Sequence, residues 1–485
     1  MNTAAQLFQP IHIGGVEVRN RIGMAPMAVF GLVSADGCFT RRAIDYYVER
    51  ARGGVGLIVT GYSEIENEVE VSLPGVVQNP SVHQPRFVAA AAELTERVHA
   101  HGARILLQLT LGLGRVGYEP WISGTPIAPS PVPAFWDPDV ACRAVGVEEI
   151  AALVRSAGEA ARTARLAGFD GVEIHALHEG YLLDQFAMTM FNRRDDEYGG
   201  DLDGRLRFSL EVLREIKGVA GQDFPVVMRF SVKSFIKDWG KGALPGEDFD
   251  EMGRDVEESL AVARILERAG YDALDADCGS YEGYYWAHPP GYQEHGCYLP
   301  YVAPLARAVD IPVLVAGRMD KPDVAERALA EGAADMVMLG RGLLADPQWP
   351  HKVAHNWDVI CVAPTYEKGD LDLARFVRRH AQYWGVVPES RLQAALNDVS
   401  IALTGGAERG RIVKGVGHVD PDLAYQLATR PLKQITFASF TQQMLRQVPR
   451  RERTYALWGI GEEYSNFTYR AARLDTRDLK IRTVF

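Results

Sequence analysis

The chain has 485 residues, 47% of them hydrophobic and 24% charged, a balance ordinary for a globular protein with room for one large core and a second unit. Its formal net charge of −11 argues against a nucleic-acid partner for the molecule as a whole. No apolar run approaches the roughly 18 residues of a membrane span, and the opening MNTAAQLFQPIHIGG lacks the regions of a signal peptide, so a cytoplasmic protein without membrane contact is expected.

Five cysteines, Cys38, Cys142, Cys278, Cys297 and Cys361, are scattered without a C-x-x-C pair and read as reduced thiols. Charge is uneven. Before Asn356 there are 33 basic and 49 acidic residues; from Asn356 onward there are 19 and 14, which marks a boundary near residue 355.

In chain order, residues 11–21 (IHIGGVEVRNR) alternate apolar and polar around Gly14-Gly15 and predict a hairpin that plugs one end of the fold. Strands are then expected over 22–27, 57–60, 104–109, 169–174, 226–230, 273–276, 312–316 and 336–339. Helical patterns fall between them, over 43–52, 87–100, 150–167, 206–219, 259–269, 302–309 and 323–331. Eight alternations of this kind predict an α/β fold, a (β/α)₈ TIM barrel with a hairpin cap. No G-x-G-x-x-G follows the first strand, which weighs against an open doubly wound sheet. Beyond residue 357 the alternation stops. Helical patterns over 371–384 and 391–403, a Gly-rich basic break over 405–417 and an aromatic tail over 455–469 suggest a mainly helical extension of unknown role. The expected units are therefore 1–355 and 356–485.

The chain is organised around 168–200, GFDGVEIHALHEGYLLDQFAMTMFNRRDDEYGG. Its apolar start reads as a strand buried on both faces. His175, His178, Glu179 and Tyr181 then arrive together, where barrel strands meet ligands. Imidazoles three apart can turn toward one ligand atom; a packed pair, or a metal pair with a third ligand, would also fit that spacing. Tyr181 is a workable proton donor or a simple buried aromatic. Arg229, alone in the apolar run VVMRF, must face an anion, either a ligand or a barrel-mouth carboxylate. Gly317-Arg318 and Gly340-Arg341 directly follow strands seven and eight, where such barrels bind phosphate.

The stretches RNRIGMAPM, GFDGVEIHALHEGYLLDQF, RRDDEYGGDLDGRLRF, YYWAHPPGY and LGRGLLADPQWP, in this order within 7–350, closely resemble the old yellow enzyme family of FMN-dependent ene-reductases. Nearest are the barrels of 2,4-dienoyl-CoA reductases, 2-enoate reductases and bile-acid-inducible enone reductases. The resemblance implies an NAD(P)H:flavin oxidoreductase that reduces the C=C bond of a small α,β-unsaturated carbonyl or enoate. It implies that His175 and His178 hold the substrate oxygen, and that Tyr181, paired with His288 of YYWAHPPGY, protonates the α-carbon. For FMN it implies Pro26 and Met27 against the ring, Gly61 near its edge, Gln108 and Arg229 on its pyrimidine side, and Gly317, Arg318, Gly340 and Arg341 at the phosphate. Ala28 stands where the family often has Thr or Cys. QLTLGLGR replaces a commoner histidine-bearing form, and its Arg115 is expected to contact substrate.

Other members of this group are amine dehydrogenases and N-demethylases, which run the flavin in the opposite direction and pass electrons to a partner. A barrel kept as a non-catalytic flavin-binding or assembly module is a third reading. Multidomain relatives carry a cysteine cluster and a second flavin domain after the barrel. Here the corresponding stretch, DVICVAPTYEKG, holds only Cys361, where four thiolates are needed. An iron–sulfur relay and a second flavin domain are therefore not expected, and NAD(P)H would reduce FMN at the barrel mouth. The sequence leaves a homo-oligomer open.

Overall fold

The computed structural model describes residues 5–28, 32–65, 68–72, 75, 77–117, 122–178, 180–243, 246–289, 293–357 and 359, together with two short strands, Thr436–Phe437 and Ala456–Leu457. Glu179, Cys361, the helical patterns beyond residue 360 and, apart from Ala456–Leu457, the aromatic tail lie outside the described residues.

Eight parallel strands form the barrel: β1 (Ile22–Met24), β2 (Leu57–Val59), β3 (Arg104–Thr110), β4 (Gly171–Leu177), β5 (Val226–Ser231), β6 (Ala273–Asp277), β7 (Val313–Val315) and β8 (Met336–Leu339). Each pairs with the next, β8 pairs with β1, and the ring is closed. The helices between them are α1 (Arg41–Arg52), α2 (Gln84–His99), α3 (Val147–Leu166), α4 (Leu202–Ala220), α5 (Val256–Ala269), α6 (Leu299–Ala306) and α7 (Pro322–Ala330). Thr40, Asp201 and Asp255 start α1, α4 and α5 by accepting first-turn backbone N–H groups.

Side-chain alternation along each strand creates two packing layers. Ile105, Leu107, Val172, Ile174, Val226, Met228, Leu274, Ala276, Val337 and Leu339 point outward and pack with the helices. Leu57, Val59, Leu106, Val227, Ala273, Leu314, Met336 and Met338 point inward and form a separate apolar cluster at the start of the strands. The hairpin Ile11–Ile13 with Val16–Val18 closes that end, adding Ile11, Ile13 and Val18 to the same cluster.

Strand β4 departs from the sequence expectation. It runs to Leu177, so His175 lies within it, and its inner face carries the buried Glu173 rather than an apolar residue. Its ladder with β5 also slips: His175 pairs with Arg229, whereas Leu177 pairs with Phe230. Ala176 is thus an extra residue, a bulge. Strict alternation would send Leu177 inward and His178 outward; the bulge keeps Leu177 in the outer layer and turns His178 inward beside His175.

Candidate active site

The C-terminal mouth of the barrel opens into a cavity. Of the sequence-predicted residues, Pro26, Ala28, Gln108, His175, His178, Arg229, His288, Gly317, Arg318, Gly340 and Arg341 line it. Met27, Gly61, Arg115 and Tyr181 do not face it directly, for reasons that differ.

The histidines form a chain. His175 Nε2 lies 2.7 Å from His178 Nδ1, and His178 Nε2 lies 2.6 Å from Asp277 Oδ2. The same carboxylate accepts from Arg229 at 2.8 Å and from the Ser231 hydroxyl at 3.0 Å. Arg229 also lies 2.6 Å from Asp275 Oδ2. Expected to face a ligand anion or a carboxylate, Arg229 faces two carboxylates. Burial opposes its charge, but Asp275, Asp277 and Glu173 outweigh burial and hold the guanidinium above its ordinary value. Its Nε is buried and has no hydrogen-bond partner, a donor left over at the cavity wall.

Glu173 and Asp275 are fully buried neighbours, and each carboxyl is raised above its ordinary value, by burial first. For Glu173 the charge of Asp275 adds to the rise; for Asp275 that of Asp277 does, with Arg229 pulling against both. Gln108, expected on the flavin side, also donates to Glu173 Oε1 at 2.7 Å.

Tyr181 packs on the imidazoles, with ring centres 4.3 Å from His175 and 6.4 Å from His178. Its hydroxyl is 3.3 Å from that of Tyr281. Tyr281 is thus a partner of Tyr181 from the same loop as His288, whose ring lies 4.4 Å from that of Tyr284. Tyr62 flanks the other side of His175 at 5.9 Å and lines the cavity.

Arg115 is turned away from the cavity. It makes a buried 2.6 Å ion pair with Glu282 and sits over the rings of Phe135, Phe191 and Trp239. The expectation of a substrate contact is corrected: a fully desolvated ion pair in an aromatic box is a fixed structural joint. Gly61 likewise serves the backbone. A Cβ there would strike Met27 O and the Ala28 Cα, so its lack of side chain lets the ends of β1 and β2 meet. Met27 packs in the outer layer.

The two Gly-Arg corners face the cavity from β7 and β8. Gly317 (φ 92°) and Arg318 (φ 56°) are consecutive left-handed residues, and a Cβ on Gly317 would enter the Tyr298 ring. Arg318 donates to Gln293 O at 2.6 Å and Arg341 to Pro289 O at 2.5 Å, which ties both to the loop after β6.

Sequence reasoning did not single out Asp277, Asp275, Glu173, Tyr62 or Tyr281. The acidic three had a signal, the same one that marked Arg229: a charge inside an apolar strand, in DGVEIH and ALDAD. No set of His, Cys, Asp or Glu side chains able to hold a metal ion occurs among the described residues, and no described helix is long and apolar enough to cross a membrane.

FMN fits this mouth. The leftover Nε of Arg229 suits an acceptor on the ring's pyrimidine side, Pro26 and Ala28 offer apolar contact, and the glycine corners with Arg318 and Arg341 suit a phosphate.

Residues 6–359 match the model of the NADH:flavin oxidoreductase / NADH oxidase family. A cinnamate reductase of Clostridium sporogenes is 51% identical over 347 residues, which are 72% of this chain and 52% of that protein. The chain thus spans about half the length of this relative. An NADPH dehydrogenase of Bacillus subtilis is 30% identical over 367 residues, 76% of this chain and 99% of that protein. Among solved structures, a 2-naphthoyl-CoA reductase in complex with 2-naphthoyl-CoA superimposes with a TM-score of 0.64 at 25% identity, covering 90% of this chain and 65% of the other. Morphinone reductase in complex with tetrahydroNAD does so with a TM-score of 0.57 at 25% identity, covering 76% and 95%.

Proposed function

The chain belongs to the NADH:flavin oxidoreductase / NADH oxidase family, and on that basis we propose that it reduces the C=C bond of a small α,β-unsaturated carboxylate or carbonyl compound, with FMN in the barrel mouth and NAD(P)H as reductant. The observation that carries this reading is the imidazole pair His175–His178 on the wall of the cavity that also presents Arg229 and both Gly-Arg corners. The resemblance to a cinnamate reductase favours an enoate over other acceptors.

Bound FMN supplies a hydride. His175 and His178 take the substrate oxygen and draw electron density from the double bond, which makes its β-carbon the hydride acceptor. Tyr181 gives a proton to the α-carbon, and Tyr281, at hydrogen-bonding distance from its hydroxyl, replenishes it. Arg229 sets the charge at the pyrimidine side, and Arg318 and Arg341 anchor the phosphate. Residues 1–355 carry this activity as one unit in the cytoplasm.

The test is anaerobic turnover by the FMN-loaded chain. NADH or NADPH should bleach the flavin, and cinnamate or an enone should restore its colour with saturation of the double bond. Failure to bind FMN sinks the reading. Flavin that is reduced but restored by no enoate or enone sinks the substrate class.

A further inference from the structure

The histidine chain has a protonation consequence that deepens the ene-reductase reading and rests on it. An ionised carboxylate only accepts hydrogen bonds. Asp277 accepts from Arg229 and Ser231, so the 2.6 Å contact with His178 places a proton on His178 Nε2. The other nitrogen, Nδ1, faces His175 Nε2 at 2.7 Å. With His178 neutral, Nδ1 carries no proton and can only accept from His175. The two imidazoles then satisfy each other, and His178 has nothing to offer an incoming oxygen. A grip with both N–H groups, His175 Nε2 and His178 Nδ1, requires His178 to hold protons on both nitrogens.

We propose that Asp277 is a positioning residue that makes His178 bind the substrate oxygen as an imidazolium cation, so that this site takes a carboxylate together with one proton. The cation lies between the Asp277 carboxylate and the substrate carboxylate, and charge-assisted hydrogen bonds to both favour an anionic oxygen over a neutral carbonyl. Among the groups that face His178 are His175 and Tyr181 from its own strand end, with ring centres at 4.8 and 6.4 Å, and Asp277 from β6. Behind Asp277 stand Arg229 of β5, Asp275 of β6 and Glu173 of β4. Asp277 touches His178 Nε2 at 2.6 Å, and that contact fixes its tautomer.

The probe is benzoate, which has the carboxylate and no reducible double bond, titrated into the oxidised FMN-loaded chain by calorimetry between pH 6 and pH 9.5. Below the His178 titration the dissociation constant should be flat; above it, affinity should fall about tenfold per pH unit, with one proton taken up per benzoate when buffers of different ionisation enthalpy are compared. Benzamide, the neutral counterpart, should bind at least tenfold more weakly than benzoate at pH 7. Asp277→Asn should move the break in the profile to lower pH. Ser231→Ala removes one donor from the carboxylate and leaves its charge, so it should move the break to higher pH, and it remains informative if Asp277→Asn does not fold. His178→Asn should bind benzoate more weakly, with no pH dependence.

A flat wild-type profile, no benzoate binding, or a break unmoved by both the Asp277 and Ser231 substitutions overturns the proposal. If cinnamate is still reduced in those cases, the ene-reductase reading stands without it. If neither cinnamate nor any enone is reduced, the two fall together.

Discussion

The two ends of this barrel are built by the same strands, two residues apart, and have opposite chemistry. Val227 and Ala273 lie in the apolar plug, while Arg229, Asp275 and Asp277, the next inward positions of β5 and β6, form a buried ionic cluster. The same step separates Leu106 from Gln108 on β3. At one end the inward side chains bury apolar surface, worth about 25 cal/mol per Å² removed from water. The other holds charges that would be costly in isolation and are tolerated because each has a partner. Stability and reactivity are thus stacked along the barrel axis, and each layer can be perturbed separately.

Replacing His175 and His178 together by alanine should give the largest effect. Loss of the oxygen grip is expected to lower kcat/KM for cinnamate by about a thousandfold or more, with circular dichroism and FMN affinity retained. Unchanged turnover would remove the pair from the reaction.

Arg229→Met comes next, because it leaves a buried carboxylate cluster without its cation. A loss of about 3–5 kcal/mol is expected, read by chemical denaturation. The pH dependence is set by Glu173 and Asp275, whose folded values are raised. A carboxyl group with a raised folded value costs the folded state as it ionises, so the defect should deepen from pH 5 to pH 8. A pH-independent loss would show that the cluster is not charged as described.

Gly317→Ala should weaken FMN binding by tenfold or more, since its left-handed backbone and the Tyr298 ring both oppose a methyl group. Fluorescence quenching of FMN on titration checks this. At the apolar end, Ile13→Val should cost only about 0.5–1.5 kcal/mol, equally at pH 5 and pH 8, with turnover per folded molecule unchanged. Altered turnover there would mean that the two layers are coupled.

The barrel itself was legible because period-2 and period-3.6 patterns are local, and the strands fell within a few residues of their expected places. The positions of His175, His178 and the Gly-Arg corners were legible because they lie at or just after strand ends. What escaped was pairing between strands. Arg229 looked solitary in VVMRF because its carboxylates sit on β6, nearly fifty residues later in sequence. Arg115 looked available for substrate because Glu282, its partner, lies 167 positions away. Tyr281, beside Tyr181, went unnoticed for the same reason: a loop's side-chain contacts are set in three dimensions and leave no periodic trace.

The bulge at Ala176 bears on how such a site can arise and be lost. Were Ala176 drawn into a regular ladder between β4 and β5, alternation would turn Leu177 inward and His178 to the helix side, although both imidazoles would still be encoded. Strand register at a single point therefore governs the site as firmly as residue identity does. A one-residue slip of that register would silence the site with every named residue still encoded, and a comparison of residue identities alone would misjudge which homologous barrels retain it.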